Sequence, residues 1–292
     1  MKVSIVGPGA MGILYAARFH RHGIQTTLVD YHSSRIRALD GSGITLDSDE
    51  GLSIKAKVRV ALEVPPEQDL ILVLVKARAT ASLRLPQGVP VLTLQSGLGN
   101  VEKLCDFVGS SNVLVGMTTE TATLVDQGHA RHVGSGVTTF GAWTSCPTAS
   151  VEEALKTAGF EYRITDSPGQ MIWENVAIAA GINPITALLD VPNGQLLALE
   201  EPRQLLRNLV VEAAKVASTE GYRFEYSLVE RAEQVCRETS DTISTMLQDV
   251  RASKRTEIDE ISGEILRKAE LASLPAPRTR VIWQLVRGME DR

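Results

Sequence analysis

The sequence predicts an α/β fold, with an N-terminal Rossmann-type, doubly wound parallel sheet followed by a C-terminal all-α domain. Three observations carry this. Up to about residue 164, short β-branched runs alternate with helical segments and glycine-rich turns, the rhythm of strand–helix–strand units. Leu70–Val75 is apolar at every position, as expected of a parallel strand covered on both faces. After Pro168 the strands nearly vanish and helical periodicity takes over. The expected domains are 1–165 and 166–292, joined near Thr165–Pro168.

Within the first domain, Val3–Val6, Gln25–Val29, Leu70–Val75, Val89–Leu94 and Val113–Thr119 read as strands. Ala10–His22, Ser33–Leu39 and Asn100–Val108 read as helices. Gly23, Gly41 and Gly109 follow them and can supply the left-handed residue of a C-cap. The polar, glycine-rich stretch Asp126–Gly141 reads as hairpin at a sheet edge. In the second domain, helices are expected at Gln170–Leu188, Glu201–Glu220, Leu228–Arg237, Met246–Ala272 and Thr279–Gly288. Pro202 falls in a first turn, where its missing N–H costs nothing. Leu247, Val250, Ile258, Ile261 and Ile265 share one apolar stripe of the expected Met246–Ala272 helix. Pro184 removes a backbone hydrogen bond and is expected to bend or end the first of these helices.

Composition narrows the function. The chain has 292 residues, with 30 Lys plus Arg against 35 Asp plus Glu, a net charge of −5. With 43% hydrophobic and 22% charged residues it has the make-up of a folded globular chain, not a disordered one. No block of like charge offers a footprint for nucleic acid. Cys105, Cys146 and Cys236 are odd in number and scattered. They exclude a disulfide framework or a cysteine zinc knuckle and fit a reducing compartment. No 18-residue uncharged apolar run exists, and Gly7-Pro8-Gly9 breaks the N-terminal apolar run too early for a signal peptide. A cytoplasmic protein with no membrane or nucleic-acid partner is expected.

Gly7-Pro8-Gly9-Ala10-Met11-Gly12 matches Gly-x-Gly-x-x-Gly between a strand and a helix. The first glycine permits the tight turn, the second lets backbone approach a pyrophosphate, and the third allows close helix–strand packing. The helix start then offers free N–H groups and a positive dipole end. Gly7, Gly9, Ala10, Met11 and Gly12 are therefore expected to hold a dinucleotide. No Gly-Lys-Ser/Thr follows, so this is not a nucleoside-triphosphate loop. Asp30 ends the second strand, where a carboxylate accepts from the adenosine ribose hydroxyls and repels an added phosphate, favouring NADH. A unit charge pair at 4 Å and an effective dielectric of 20 is worth roughly 4 kcal/mol. Arg35 and Arg37 lie near enough in sequence to soften that repulsion.

Ligands of open α/β sheets bind beyond the carboxyl ends of the strands. Lys76 follows the apolar strand there, and Gln95-Ser96-Gly97-Leu98-Gly99 follows the next one with small residues that admit a ligand. Lys76 also has a plainer explanation, as the first solvated residue after a buried strand. In the helical half, Asn175, Ala179 and Asn183 share a stripe at i, i+4 and i+8. Asn183 either satisfies backbone groups freed by Pro184 or contacts a ligand. Glu257 flanks the apolar stripe, where a solvated carboxylate paired with Lys254 or Arg255 is the alternative. His20 and His22 diverge on a helix; His129 and His132 read as loop residues without a matching carboxylate or cysteine, so no metal site is expected. No Gly-x-Ser-x-Gly elbow supports a serine hydrolase.

Taken together, these pieces resemble the ketopantoate reductase (2-dehydropantoate 2-reductase) family over essentially the whole chain. The resemblance rests on Gly7–Gly12, Val75-Lys76-Ala77, Gln95–Gly99, Ile182-Asn183-Pro184-Ile185-Thr186-Ala187 and Pro192-Asn193-Gly194. Most specific are Ser244-Thr245-Met246-Leu247-Gln248-Asp249-Val250 and Arg255-Thr256-Glu257-Ile258-Asp259, in that order. The resemblance implies a Rossmann domain, a helical domain for substrate and dimerisation, and a substrate cleft between them. It also implies reduction of the ketone of 2-dehydropantoate, usually with NADPH, in pantothenate and coenzyme A synthesis. By position, Asn183, Asn193 and Thr245 would line the substrate pocket with Glu257. Lys76 would sit at the cofactor–substrate junction, and Ser96 against the cofactor.

The departures fall on polar groups around the reacting carbonyl. The family helix carries a lysine, the assigned proton donor, two residues after its tryptophan; Trp173-Glu174-Asn175 places asparagine there. A family asparagine is Ala179, the asparagine of the Gln-Asn-Gly loop is Ser96, and the arginine used for the NADP phosphate gives way to Asp30. Asparagine can hydrogen-bond an oxyanion but cannot protonate it, so Lys76, or a water held by Glu257, must deliver the proton if the substrate is unchanged. The catalytic set is thus Lys76, Glu257 and Asn175. The expected function is an NADH- or NADPH-dependent reductase of a small 2-oxo acid, with a homodimer left open. The competing readings are a dinucleotide-binding sensor with little turnover and a reductase acting on a different 2-oxo or 3-hydroxy acid.

Overall fold

The computed structural model describes residues 1–48 and 51–290. They form two compact units, one of Met1–Gln95 with Asn100–Pro168, the other of Ser96–Gly99 with Gly169 onward. Along the first unit run β1 (Lys2–Val6), α1 (Ala10–Arg21), β2 (Gln25–Val29), α2 (Ser33–Ser42), β3 (Ile44–Ser48), β4 (Ser53–Ala56), β5 (Arg59–Ala61) and β6 (Leu70–Val73). Then come β7 (Val91–Thr93), α3 (Asn100–Val108), β8 (Val113–Thr118), β9 (Thr121–Asp126), β10 (His129–Gly134), β11 (Val137–Ala142), α4 (Ala149–Thr157) and β12 (Glu161–Ile164).

The main sheet has the order β12-β11-β8-β7-β6-β1-β2-β5. Every neighbouring pair is parallel except β8 with β11. Strand β6 is buried at every position, which explains its uninterrupted apolar sequence. A second sheet, β4-β3-β10-β9, was not legible as such. It covers the far side of α1, so that helix packs between two sheets. Ile13, Leu14, Tyr15, Ala16 and Ala17 are accordingly fully buried, in one core with Leu46, Ala56, Ala130 and Phe140. This corrects the reading of His129 and His132 as unpartnered loop residues. Both lie on β10, where His129 Nε2 is 2.7 Å from Asp47 Oδ2 and His132 Nε2 is 2.6 Å from Glu120 Oε2. The partner of His129 comes from β3, which pairs in parallel with β10 across a long sequence interval.

The helical unit contains α5 (Pro168–Leu189), α6 (Gln195–Ala198), α7 (Glu200–Thr219), α8 (Leu228–Glu238), α9 (Thr245–Arg251), a π turn (Asp259–Gly263), α10 (Glu264–Leu271) and α11 (Pro277–Glu290). Helix α5 is its centre: Trp173, Val176, Ala177, Ala180, Ile182, Ile185 and Ala187 are all buried. Among the described residues it alone has the length and apolarity to cross a membrane, and 56% of its apolar window is buried inside the protein. It does not end at Pro184. An interior proline costs about 3 kcal/mol, whereas burying each large apolar side chain returns roughly 1.5–3 kcal/mol. Ile182 and Ile185 flank the proline in the core and hold the helix through it.

The stretch expected as one helix over Met246–Ala272 is two. Helix α9 stops at Arg251, and Ser253 takes a φ of +51°. The Thr256 amide and hydroxyl then donate to Glu290 Oε1 of α11, and the Thr256 hydroxyl oxygen accepts from the Ile258 amide at 3.2 Å. This side-chain capture interrupts the helix, yet Leu247, Ile258, Ile261 and Ile265 still enter the same core from its two halves.

Between α7 and α8, Glu233 is buried and receives Arg203 Nε and Nη2 at 2.9 and 2.7 Å and Arg207 Nε at 2.7 Å. The hydrogen bonds from Arg203, joined by those from Arg207, outweigh the desolvation of burial and hold its carboxyl at about 2. Because the folded value lies below the unfolded one of about 4.3, the pair's stabilisation is complete above that pH and is lost as pH falls towards 2. Urea midpoints measured from pH 7 to 2.5 are expected to drop through this window, and Glu233→Gln to lower the neutral-pH midpoint and flatten the acid limb.

Candidate functional site

The glycine turn is built by contact. The Gly7 amide donates to Val29 O at 3.0 Å, and its φ of +113° is a region L side chains avoid. A Cβ on Gly7 would lie 2.8 Å from Val75 N and 2.9 Å from Leu74 C, so the chain leaving β6 packs directly on the turn. At Gly12 an added Cβ would lie 1.9 Å from Gly7 O. Helix α1 can start against the turn only if residue 12 lacks a side chain. Gly9 is different: a Cβ there would meet nothing within 4 Å.

The space Gly9 leaves open lies at the head of α1. The Ile13 amide is the first to bond within the helix, donating to Gly9 O at 2.9 Å, so the amides of Ala10, Met11 and Gly12 have no helical acceptor. No acidic residue occupies the first turn and no side chain caps it. These donors fit the pyrophosphate of a dinucleotide.

At the end of β2, Asp30 is buried. Its Oδ1 accepts from the His32 amide and from Arg35 Nη2, both at 2.9 Å, and Arg35 Nε lies 2.5 Å from Oδ2 as an ion pair. The carboxylate is therefore paired with a half-exposed guanidinium from the start of α2.

Lys76 is exposed at the head of a short 3₁₀ helix, Ala77–Ser82. Behind it stands a group that the sequence did not single out. Gln95 Nε2 donates to Val75 O at 2.9 Å and to Thr80 Oγ1 at 2.8 Å, while its Oε1 accepts from Thr93 Oγ1 at 3.0 Å. The Thr80 hydroxyl donates onward to Asn100 Oδ1 at 3.0 Å. Gln95 had a signal, as the first residue of a quoted motif; Thr80 and Asn100 had none.

In the helical unit, Asn175, Ala179 and Asn183 form a half-buried stripe of α5 beside the buried Val176 and Ala180. Asn183 O accepts from the Thr186 hydroxyl at 2.9 Å, and that hydroxyl also lies 2.7 Å from Ser244 Oγ. Ser244 in turn caps α9 by accepting from the Leu247 amide at 3.1 Å. This joins the Ile182–Ala187 and Ser244–Val250 motifs and sets Thr245, exposed, as the first residue of α9. Asn193 is more deeply placed: its amide donates to Thr242 O at 3.0 Å and its Nδ2 to Thr239 Oγ1 at 2.9 Å, while Oδ1 is buried without a partner. The half-buried Glu257 leads into the π turn, its carbonyl accepting from Ile261 N at 3.1 Å. Ser96, exposed, opens the loop that packs on that turn: Leu98 N donates to Glu260 O at 2.9 Å, and a Cβ on Gly97 would lie 2.7 Å from the same oxygen. No group of three His, Cys, Asp or Glu among the described residues could hold a metal ion.

A turn shaped for a pyrophosphate on the first strand of a doubly wound sheet, with the helical unit appended, defines a dinucleotide-dependent oxidoreductase acting on a CH–OH group. Comparison with known proteins narrows the class. Residues 3–145 match the model of ketopantoate reductase PanE/ApbA and residues 169–290 that of its C-terminal domain. The chain is 35% identical over 297 residues to 2-dehydropantoate 2-reductase of Halobacterium salinarum, covering 98% of each. It is 31% identical to that of Pyrococcus horikoshii, covering 100% of this chain and 98% of the other. Among solved structures, D-mandelate dehydrogenase with NADH and anilino(oxo)acetate superposes with a TM-score of 0.89 at 26% identity, covering 100% of this chain and 99% of that one. A PanE/ApbA family ketopantoate reductase from Ralstonia eutropha gives the same figures. The chain belongs to the ketopantoate reductase family.

Gly9 and Gly12 separate binding from folding. Gly9→Ala is expected to melt within a few degrees of the unaltered chain yet to lose about tenfold or more in dinucleotide affinity by calorimetry. Gly12→Ala is expected to lower the melting temperature itself, because the turn must move.

Proposed function

We propose that the chain reduces 2-dehydropantoate, or a branched 2-oxo acid close to it, to the 2-hydroxy acid with NADH. The observation that carries this reading is the open Gly9 position before the unpaired amides of α1. The names of the two curated relatives support the substrate. Asp30, and the NADH bound by D-mandelate dehydrogenase, support the coenzyme. Its nicotinamide, when bound, supplies the hydride. The chain's residues do the rest. Gly7, Gly9, Ala10, Met11 and Gly12 hold the diphosphate, Asp30 accepts from the ribose hydroxyls, and Ser96 lies against the cofactor. Asn183, Asn193 and Thr245 orient the acid through its hydroxyl and carboxylate groups, and Glu257 holds a substrate hydroxyl or a water. Asn193 can offer only its unpartnered Oδ1 unless its bond to Thr239 opens.

The proton is the point of departure from the family. Asn175 can donate a hydrogen bond to a developing oxyanion but keeps its protons at neutral pH. Lys76 carries an ammonium on a four-carbon stem and is the group we assign to deliver it. General acid catalysis is worth about 10²–10⁴-fold.

Purified protein is to be followed by NADH and NADPH absorbance against 2-dehydropantoate and a panel of branched 2-oxo acids. Turnover with at least one acid is expected, and none with any of them overturns the reading. In single turnover, Lys76→Ala is expected to slow reduction by about 10²-fold or more; an unchanged rate removes Lys76 as the acid. Arg35→Ala is expected to weaken NADPH binding more than NADH binding, since it leaves the Asp30 charge facing the added phosphate. Equal losses for the two would show that this pair does not select the coenzyme.

A further inference from the structure

We propose that Gln95 is a positioning residue for the reaction: by holding the Val75 carbonyl and the Thr80 hydroxyl, it fixes the backbone from which Lys76 projects. The inference rests on the reading of Lys76 as the proton donor.

Strand β6 ends at Val73 and β7 at Thr93. One further bond follows each strand, Leu74 N to Val6 O at 2.9 Å and Leu94 N to Val73 O at 3.3 Å; Lys76 lies past them and needs a defined origin of its own. The Val75 backbone is gripped from two sides. On one it packs against Gly7, where even a Cβ would overlap Val75 N at 2.8 Å. On the other its carbonyl takes a hydrogen bond from Gln95 Nε2 at 2.9 Å. The second amide hydrogen of Gln95 goes to Thr80 Oγ1 at 2.8 Å, inside the 3₁₀ segment that Lys76 begins.

The Gln95 amide thus spends its donors on one group before Lys76 and one after it, and its acceptor on Thr93. The orientation is forced, because only the NH₂ side can meet a carbonyl. It is also anchored: fully buried Thr80 passes its own proton to Asn100, the buried first residue of α3. A directed chain from Gln95 through Thr80 to Asn100 ties the Lys76 origin to a helix on one side and to the phosphate-binding turn on the other. A displacement near 1 Å at a reacting group can cost about 10²-fold in rate, and a long lysine side chain multiplies any freedom at its origin.

The test is a cycle of Gln95→Ala, Lys76→Ala and the double variant, in single turnover with the fastest 2-oxo acid of the panel. Gln95→Ala is expected to slow reduction about 10- to 100-fold, with KM for the dinucleotide within about threefold. It should add nothing further in the Lys76→Ala background. Without coenzyme, hydrogen exchange over residues 74–82 is expected to quicken in Gln95→Ala while the α1 amides stay protected. Thr80→Val should reproduce the slow rate and Thr80→Ser restore it, separating the hydrogen bond from packing. If Lys76→Ala is as fast as the unaltered chain, the proton-donor reading and this inference fall together. Should Lys76→Ala be slow while Gln95→Ala is fast, or the two losses multiply, or exchange over 74–82 stay unchanged, the inference alone is overturned.

Discussion

The carbonyl oxygen of Gly7 occupies the place where a side chain on residue 12 would have to be, 1.9 Å from an added Cβ. That approach brings α1 against the end of β1 and aims its unpaired amides past Gly9. From it follow the burial of α1 between two sheets and the proposed seat for a diphosphate. The same turn receives the chain leaving β6, because Val75 packs on Gly7. The proposed phosphate seat and the placement of Lys76 therefore share one steric origin.

The helical unit has its own fixed point. The Thr186 hydroxyl lies 2.7 Å from Ser244 Oγ, and Ser244 caps α9. A Ser or Thr cap is worth about 1 kcal/mol, so its importance is geometric rather than energetic. It ties the middle of α5, with Asn183, to the residue that precedes Thr245. Pro184 between these polar groups is carried by the apolar core around it, and α5 runs on to Leu189.

What the sequence revealed and what it hid divide by range. The central strands β1, β2, β6, β7 and β8 and helices α1, α3 and α5 were legible because their signal is local: continuous apolar runs, a glycine at a helix end, a 3.6-residue period. The second sheet was hidden because β3, β4, β9 and β10 are partly exposed and lack a continuous apolar run, and β3 meets β10 only across some eighty residues of chain. The carboxylate partners of His129 and His132 were hidden with it. The break between α9 and α10 was invisible because Thr256 is captured by Glu290, far along the chain, while the apolar stripe continues across the gap. Around the candidate site, the tight glycine turn and the carboxylate at the end of β2 could be read from motif and position. Gln95's role could not, since it depends on Val75 and Thr80 folding back beneath it.

On the proposed mechanism, Asn175 leaves the acid–base step to Lys76, which projects from a braced segment of the Rossmann unit. All of this presumes a pyridine dinucleotide seated on the glycine turn. Calorimetric titration of the intact protein with NADH, and separately with NADPH, tests that most directly. Saturable binding of NADH in the micromolar range, with NADPH weaker, is the expected result. No heat of binding from either nucleotide at millimolar concentration would contradict the account.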